Sequence, residues 1–332
     1  MRELHRDVVD HAGARALVWS GSRLYDAASG WRSIPLEGSP GSSRFDDYGA
    51  QFDTATASPL GDVIALVAST GTNGLLLTPD GELIREIHRS DYCADAYRYP
   101  VALYTLPDGR TGLAHCPEEY NRLEIEVAAN GERVTADSDR SPEDVFHSRL
   151  EVSPSGQYLL SAGWVWHPVD WLAVYKLSCV ATEPAVLDSL SGFAHTSIDV
   201  AGACFLDSDD IVISTCPDGV ASSDDPEVLG PNTLARWSPV TKTVVWRRQL
   251  PSAAGDIVTM AGHILALHDY PRLYDAADGA LLAEWPDLPT GSATSSIVGT
   301  KSFSGRGRMA IDSAGRRFAV NDGERITVVH LG

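Results

Sequence analysis

The stretch Phe146 to Leu177, FHSRLEVSPSGQYLLSAGWVWHPVDWLAVYKL, decides how the chain is read. Leu150 and Val152 alternate ahead of a Ser153-Pro154-Ser155-Gly156 turn, and Tyr158 to Ala162 is an apolar run after it. A loop from Gly163 to Asp170 then leads into a third apolar run, Trp171 to Leu177. Strand, Pro/Gly turn, strand, loop, strand is an antiparallel meander. One such unit leaves apolar faces uncovered, so it implies copies of itself.

The copies are present. Ser58-Pro59-Leu60-Gly61-Asp62, Leu106-Pro107-Asp108-Gly109-Arg110 and Asp312-Ser313-Ala314-Gly315-Arg316 repeat the first turn. Leu206 to Asp210 and Met260 to His263 stand in the same place without proline. Proline presets φ and glycine accepts positive φ, so each is a turn for a physical reason. The period, roughly 50 residues, is that of propeller blades. A second kind of turn joins a third strand to a fourth: Asp26 to Gly30, Thr78-Pro79-Asp80-Gly81, Ala129-Asn130-Gly131 and Asp275 to Gly279. Asn-Gly and Asp-Gly are hairpin signals. Arg23-Leu24-Tyr25-Asp26-Ala27-Ala28-Ser29-Gly30 matches Arg272-Leu273-Tyr274-Asp275-Ala276-Ala277-Asp278-Gly279 beyond chance.

Seven units follow, with six or eight as the alternatives. They begin near Ala16, Tyr48, Val101, Phe146, Ile198, Ile257 and Met309, the fourth taking Ala185 to Leu190 as its outer strand. The first unit lacks an innermost strand and the last a fourth, which Glu3 to Val9 supplies, closing the ring. The expected fold is all-β: one domain over residues 1–332, a seven-bladed β-propeller of four-stranded antiparallel blades.

A third strand ending in an aromatic and Asp, followed by a nearby Gly, resembles the WD40 repeat. The SPxG turn ahead of a second strand is similar to WD40 and to YVTN and TolB-like propellers. Trp237-Ser238 stands where Trp-Asp is usual, Tyr175-Lys176 departs further, and the one Gly-His, Gly262-His263, falls in a turn. The resemblance is thus to WD40-like propellers without a characterised subfamily.

Composition bounds the function. The 332 residues are 43% hydrophobic, as in a globular chain, and carry a net charge of −19. That charge disfavours nucleic acid, whose binders cluster Lys and Arg; the nearest basic patch is Arg306 to Arg308 with Lys301. No apolar run reaches the length of a membrane span, and the first residues show no secretory pattern, so the expectation is a cytoplasmic protein with no membrane partner. Five cysteines without a CxxC fit reduced thiols rather than disulfides or zinc.

In a four-stranded blade the turns between strands one and two, and three and four, share one face of the disc. The other face takes the second-to-third loops and the inter-blade loops, which here are long: Gly163 to Asp170, Cys216 to Asn232, Ser90 to Pro100, Thr135 to Phe146 and Leu288 to Arg306. Long loops on a rigid scaffold are where binding residues gather. These loops carry Tyr99, Tyr120, Trp164, Trp166, Trp171 and Tyr270, with acids such as Asp46, Asp91, Glu118 and Asp170. Aromatic anchors in a polar rim suit a protein or sugar partner.

The sharpest candidate is Trp164 to Trp171 with His147 and Arg149 on the innermost strand of the same unit. The indoles of Trp164 and Trp166 either clamp a ligand or plug the gap between blades; the blades' need for large inter-sheet side chains favours packing. His147 and His167 are candidate proton carriers. Arg98, between Tyr97 and Tyr99, is a candidate partner for a carboxylate or an aromatic face. Cys116 and His115 face opposite ways along a strand, so they are not read as a catalytic pair. Asp207-Ser208-Asp209-Asp210 reads as a turn rather than a calcium loop. No GxSxG, HExxH, P-loop or cofactor motif is present, and no metal set is read. The leading expectation is a non-enzymatic binding or scaffold protein that takes a protein partner around the channel mouth. The alternatives are a hydrolase or lyase using His147, His167, Arg98 and Asp170 on a small molecule, and a sugar-binding propeller.

Overall fold

The structure, a computed structural model, describes every residue except 38–40, 136–138, 166–168, 190–199, 218–228, 296 and 298–307, and gives the backbone alone of residue 169. Seven antiparallel sheets succeed one another along the chain. Blade one is Leu17–Ser20, Arg23–Asp26 and Arg32–Ile34; blade two is Thr54–Ala57, Ile64–Val67, Asn73–Leu77 and Leu83–His88. Blade three is Val101–Thr105, Thr111–His115 and Glu124–Val127, with an isolated bridge from Glu126 to Arg133 at its outer edge. Blade four is Phe146–Val152, Tyr158–Val165 and Val169–Lys176. Blade five is Val200–Phe205, Ile211–Thr215, Thr233–Ser238 and Thr243–Gln249; blade six is Ile257–Met260, His263–Ala266, Arg272–Tyr274 and Leu281–Glu284. Blade seven is Met309–Asp312, Arg317–Asn321 and Arg325–Leu331, and its fourth strand is Glu3–Asp10 from the other end of the chain. The seven-bladed, all-β propeller expected from the repeats is the fold. No described helix is long and apolar enough to cross a membrane.

The turns form as their residues dictate. In Ser58 to Asp62 the Ser58 carbonyl accepts from Gly61 N, and its Oγ accepts from the amides of Asp62 and Val63. Ser153 repeats this with Gly156 and Tyr158, and Gly61 and Gly156 take φ of 69° and 72°, open to glycine at no steric cost. Where glycine is missing, Asp209 takes φ 62° and its carboxylate accepts from the Ser155 amide of the neighbouring turn, so this Asp-rich segment is a turn.

Each sheet is covered on both faces, and so its inner strands read as unbroken apolar runs. Leu103 packs toward blade two, with Val63, Ala65 and Leu76, while Ala102 and Tyr104 beside it pack toward blade four, with Leu159, Ala173 and Tyr175. That is the period-two alternation of a strand used to hold two neighbours. A comparable cluster fills the gap between each adjacent pair of blades. Burying each large side chain contributes about 1.5–3 kcal/mol. The ring closes as expected: Glu3–Asp10 pairs with Arg325–Leu331, Trp285 Nε1 donates to Glu3, and Arg6 pairs with Asp287 of the loop leaving blade six.

Two expectations are corrected. The first unit does not lack its innermost strand. Leu17–Ser20 lies at the axis between Thr54–Ala57 and Met309–Asp312, and the outer position is the one without a strand among the described residues. Its entry is fixed by Asn321 Nδ2, which donates to the Ala14 carbonyl at 2.6 Å, as Ser69 O accepts from Tyr99 N at the entry to blade three. Asp26 to Gly30 therefore joins the second and third strands of blade one, whereas its match, Asp275 to Gly279, joins the third and fourth of blade six. The second correction concerns Ala185 to Leu190. Pro184–Asp188 is a short 3-10 helix, since Pro184 presets its first turn and Asp188 is tied to Arg140 Nε (2.7 Å) and to Ser141 N.

Candidate functional site

The described inter-blade loops lead into the innermost strands, so the described residues at the heads of those strands ring the channel mouth. Those residues are Arg15, Asp53, Arg98, Asp256 and Arg308, joined by Arg149 from within the innermost strand of blade four.

 A bulge falls between His147 and Arg149, in the strand Phe146–Val152. Below the mouth is a cavity of about 690 Å³, walled by apolar residues of the innermost strands such as Leu17, Val101, Leu150, Val258 and Met309. Among the described residues four arginines line it, Arg15, Arg98, Arg149 and Arg308, against one aspartate, Asp53. Asp53 is occupied by Ser69, whose amide and hydroxyl both donate to it.

Arg98 reaches across the axis. Its guanidinium pairs with Asp256 at 2.5 Å, and both side chains are buried. Arg149 donates to the carbonyls of Val200 (3.1 Å) and Ala201 in blade five. Arg15 donates to Ala28 O and Gly49 O and pairs with Asp47, and burial lowers the Arg308 pKa while Asp322 opposes it. The counter-carboxylates Asp47, Asp256 and Asp322 are not among the residues lining the cavity.

The loop that presents Arg98 is organised by Arg89. This buried guanidinium donates to the carbonyls of Gly71, Ala94, Tyr97 and Arg98, and lies over the rings of Tyr97 (4.4 Å) and Tyr99 (5.1 Å). One cation thereby gathers four backbone carbonyls of this loop and its neighbour. The described part of the Leu288 to Arg306 loop also reaches this face. Asp269 N donates to Gly291 O, Cys216 Sγ to Thr294 O, and Ile297 bridges to Tyr97, so Gly291, Thr294 and Ile297 touch blade six, blade five and the entry of blade three in turn.

The sequence candidates divide between the cavity and the core. Arg98, Tyr99 and Arg149 line the cavity. Trp164 does not offer a free indole face: it is 7% exposed and stacks on Phe146 at 4.2 Å and 6°. Phe146 in turn meets Tyr120 (4.6 Å), and Tyr120 meets Tyr92, a residue 45% exposed at the surface end of the stack. The Tyr120 hydroxyl donates to Asp144. Tyr270 sits apart in blade six, under the Arg272 guanidinium at 5.3 Å. Trp166 and His167 lie outside the described residues.

His147 is buried, with Nδ1 2.7 Å from Ser161 Oγ and Nε2 3.2 Å from the Asn121 carbonyl. Burial pushes its pKa down to about 4, so it is neutral at pH 7. Asp170 is buried opposite Trp164 in the strand register. Neither lines the cavity that Arg98 lines, so the described members of the His147, His167, Arg98 and Asp170 set do not meet at one cavity. Cys116 is buried and its thiol is pushed up by desolvation, while His115 lies 3.3 Å from Glu126.

Sequence reasoning placed Arg98, Arg149 and Arg308 among candidates or basic patches but missed Arg15, Asp53, Arg89 and Asp256. A signal existed for most of them: a charged residue one to three positions ahead of an innermost strand recurs in blades one, two, three, six and seven. Arg89 carried none, because its partners are backbone carbonyls.

No protein-family model matches the chain, and no curated protein does. Solved structures similar in fold include Kuenenia stuttgartiensis hydrazine synthase, at 12% identity over 98% of this chain and 97% of that chain, with a TM-score of 0.61. Another is a chain of the mitotic checkpoint complex, at 10% identity over 99% of this chain and 94% of that chain, with a TM-score of 0.64. Identities this low show the propeller fold alone.

Proposed function

We propose that the protein is a non-enzymatic, WD40-like binding propeller of the cytoplasm, and that its long-loop face receives an acidic segment of a protein partner at the channel mouth. The observation that carries this reading is the lining of the cavity, whose described residues include four arginines and one aspartate, in a chain whose net charge is −19. Guanidinium groups match carboxylates in bidentate geometry and hold them in partly buried sites. A partner-binding role also fits the similarity to a chain of a multiprotein complex, whereas the hydrazine synthase similarity is to an enzyme; a shared fold does not choose between them.

The stacked-indole sugar site loses its first member, because Trp164 is spent on Phe146. A second reading keeps the same arginines and uses the apolar wall: a small organic anion seated in the 690 Å³ cavity, a volume in the range of ligand pockets. A panel of fluorescent peptides, Glu-rich, Lys-rich and neutral, read by anisotropy against the whole chain, tests the proposal. Saturable binding of the acidic peptide alone is expected. Equal binding of all three, or of none, counts against it, and displacement of the peptide by a small aromatic carboxylate supports the second reading.

A further inference from the structure

We propose that His5, Asp7 and His330 form a site for a divalent transition metal of the zinc class, which clamps the N-terminal strand onto blade seven. The strand register brings them together from the two ends of the chain. His5 lies directly opposite His330 in the pairing of Glu3–Asp10 with Arg325–Leu331, and Asp7, two residues on, shares the face of His5. The imidazole rings stack at 4.1 Å and 11°, and His330 Nε2 lies 2.8 Å from Asp7 Oδ2. One ligand atom from each residue lies within 4.8 Å of the other two, and among the described residues no other group of three such side chains converges so closely.

Two imidazole nitrogens and a carboxylate oxygen are a donor set for zinc and its neighbours, not for calcium or magnesium. Bonds of about 2.0–2.2 Å to a tetrahedral ion set ligand atoms roughly 3.4 Å apart, so small side-chain rotations convert this cluster into a site, with water as fourth ligand. His5 is exposed and Asp7 and His330 are partly so, which leaves those rotations free and the site open to solvent. The place matters because this pair of strands closes the ring. A metal that bridges them binds the closed propeller and not the open chain, and so stabilises closure. The alternative is that His330 and Asp7 form an ion pair beside a stacked ring and bind nothing.

The test uses the whole chain after EDTA treatment and dialysis. Zinc chloride is titrated calorimetrically, the melting midpoint is followed, and cobalt(II) replaces zinc to read the visible d–d bands of a low-coordinate site. One zinc per chain, a raised midpoint and cobalt bands are expected. His5→Ala and His330→Ala should each weaken zinc binding at least about tenfold, since loss of an outer-shell partner alone costs about 10–100-fold, and abolish the cobalt bands. His88→Ala, at an exposed histidine elsewhere, should leave both unchanged. All three positions are on the outer surface of the disc, so the variants are expected to fold, and circular dichroism confirms that they have. Absence of stoichiometric zinc binding, or binding that survives the His5 and His330 substitutions, overturns the proposal.

Discussion

Arg98 and Asp256 are 158 residues apart in the chain and joined by an ion pair across the channel. One stands at the head of the innermost strand of blade three, the other at the head of that of blade six. The pair ties nearly opposite sides of the ring at the level where the inter-blade loops enter, and it leaves Arg149, Arg15 and Arg308 around it.

Removing one partner of a buried pair leaves an uncompensated charge, at a cost of about 3–5 kcal/mol. Asp256→Ala should therefore lower the denaturation midpoint strongly, while Arg98→Met with Asp256→Leu together should cost much less. A double-mutant cycle in urea measures the difference. Additive effects of the two single changes would mean that the pair holds nothing.

His147 makes stability depend on pH. Its folded pKa, pushed down to about 4, lies below the unfolded value of about 6.5. The unfolded chain binds the proton first, so the contribution of His147 is complete above pH 6.5 and is lost as pH falls toward 4. Unfolding free energy measured at pH 7, 6, 5 and 4 should fall more steeply for the native chain than for His147→Asn. Parallel curves would contradict the neutral, buried imidazole.

Trp164 is core. Trp164→Ala should cost about 3–5 kcal/mol, as truncation of buried aromatics does, with Trp164→Phe milder. Gly163→Ala beside it should also destabilise, since the added methyl would fall 1.7 Å from the Phe146 carbonyl. Thermal melting separates the cases. A Trp164→Ala chain that melts like the native one would return the indole to the list of recognition residues.

Deleting residues 1–10 removes the strand that covers Arg325–Leu331. An uncovered edge is a template for pairing with another chain. The truncated protein should melt earlier and elute as larger species in size-exclusion chromatography. A monomer of native stability would show that ring closure does not depend on this strand.

Turn chemistry made the blade count legible. Ser58 to Gly61 and Ser153 to Gly156 close through their own side chains, so local sequence decides them. Blade one was misplaced because its Arg23 to Gly30 octapeptide is nearly that of Arg272 to Gly279. In one, Asp26 Oδ1 accepts from the Ala16 amide; in the other, Asp275 Oδ1 accepts from Ala277 within its own turn. Nearly identical local sequence is thus used at two depths of a blade, and tertiary contact chooses. The arginines of the mouth were only half legible for a related reason: their convergence exists only once the ring is closed, and no spacing along the chain encodes it. The same holds for His5, Asp7 and His330, which come from opposite ends of the chain.

The central claim is that the arginines of the channel mouth recognise an acidic segment. The direct measurement is the anisotropy isotherm of a Glu-rich peptide on the native chain and on Arg15→Gln with Arg308→Gln, at low salt and at about 0.15 M salt. The account predicts binding to the native chain that weakens with salt, and a loss of at least about tenfold, roughly 1.4 kcal/mol, in a double variant that circular dichroism shows to be folded. Equal affinity for the two proteins would contradict it.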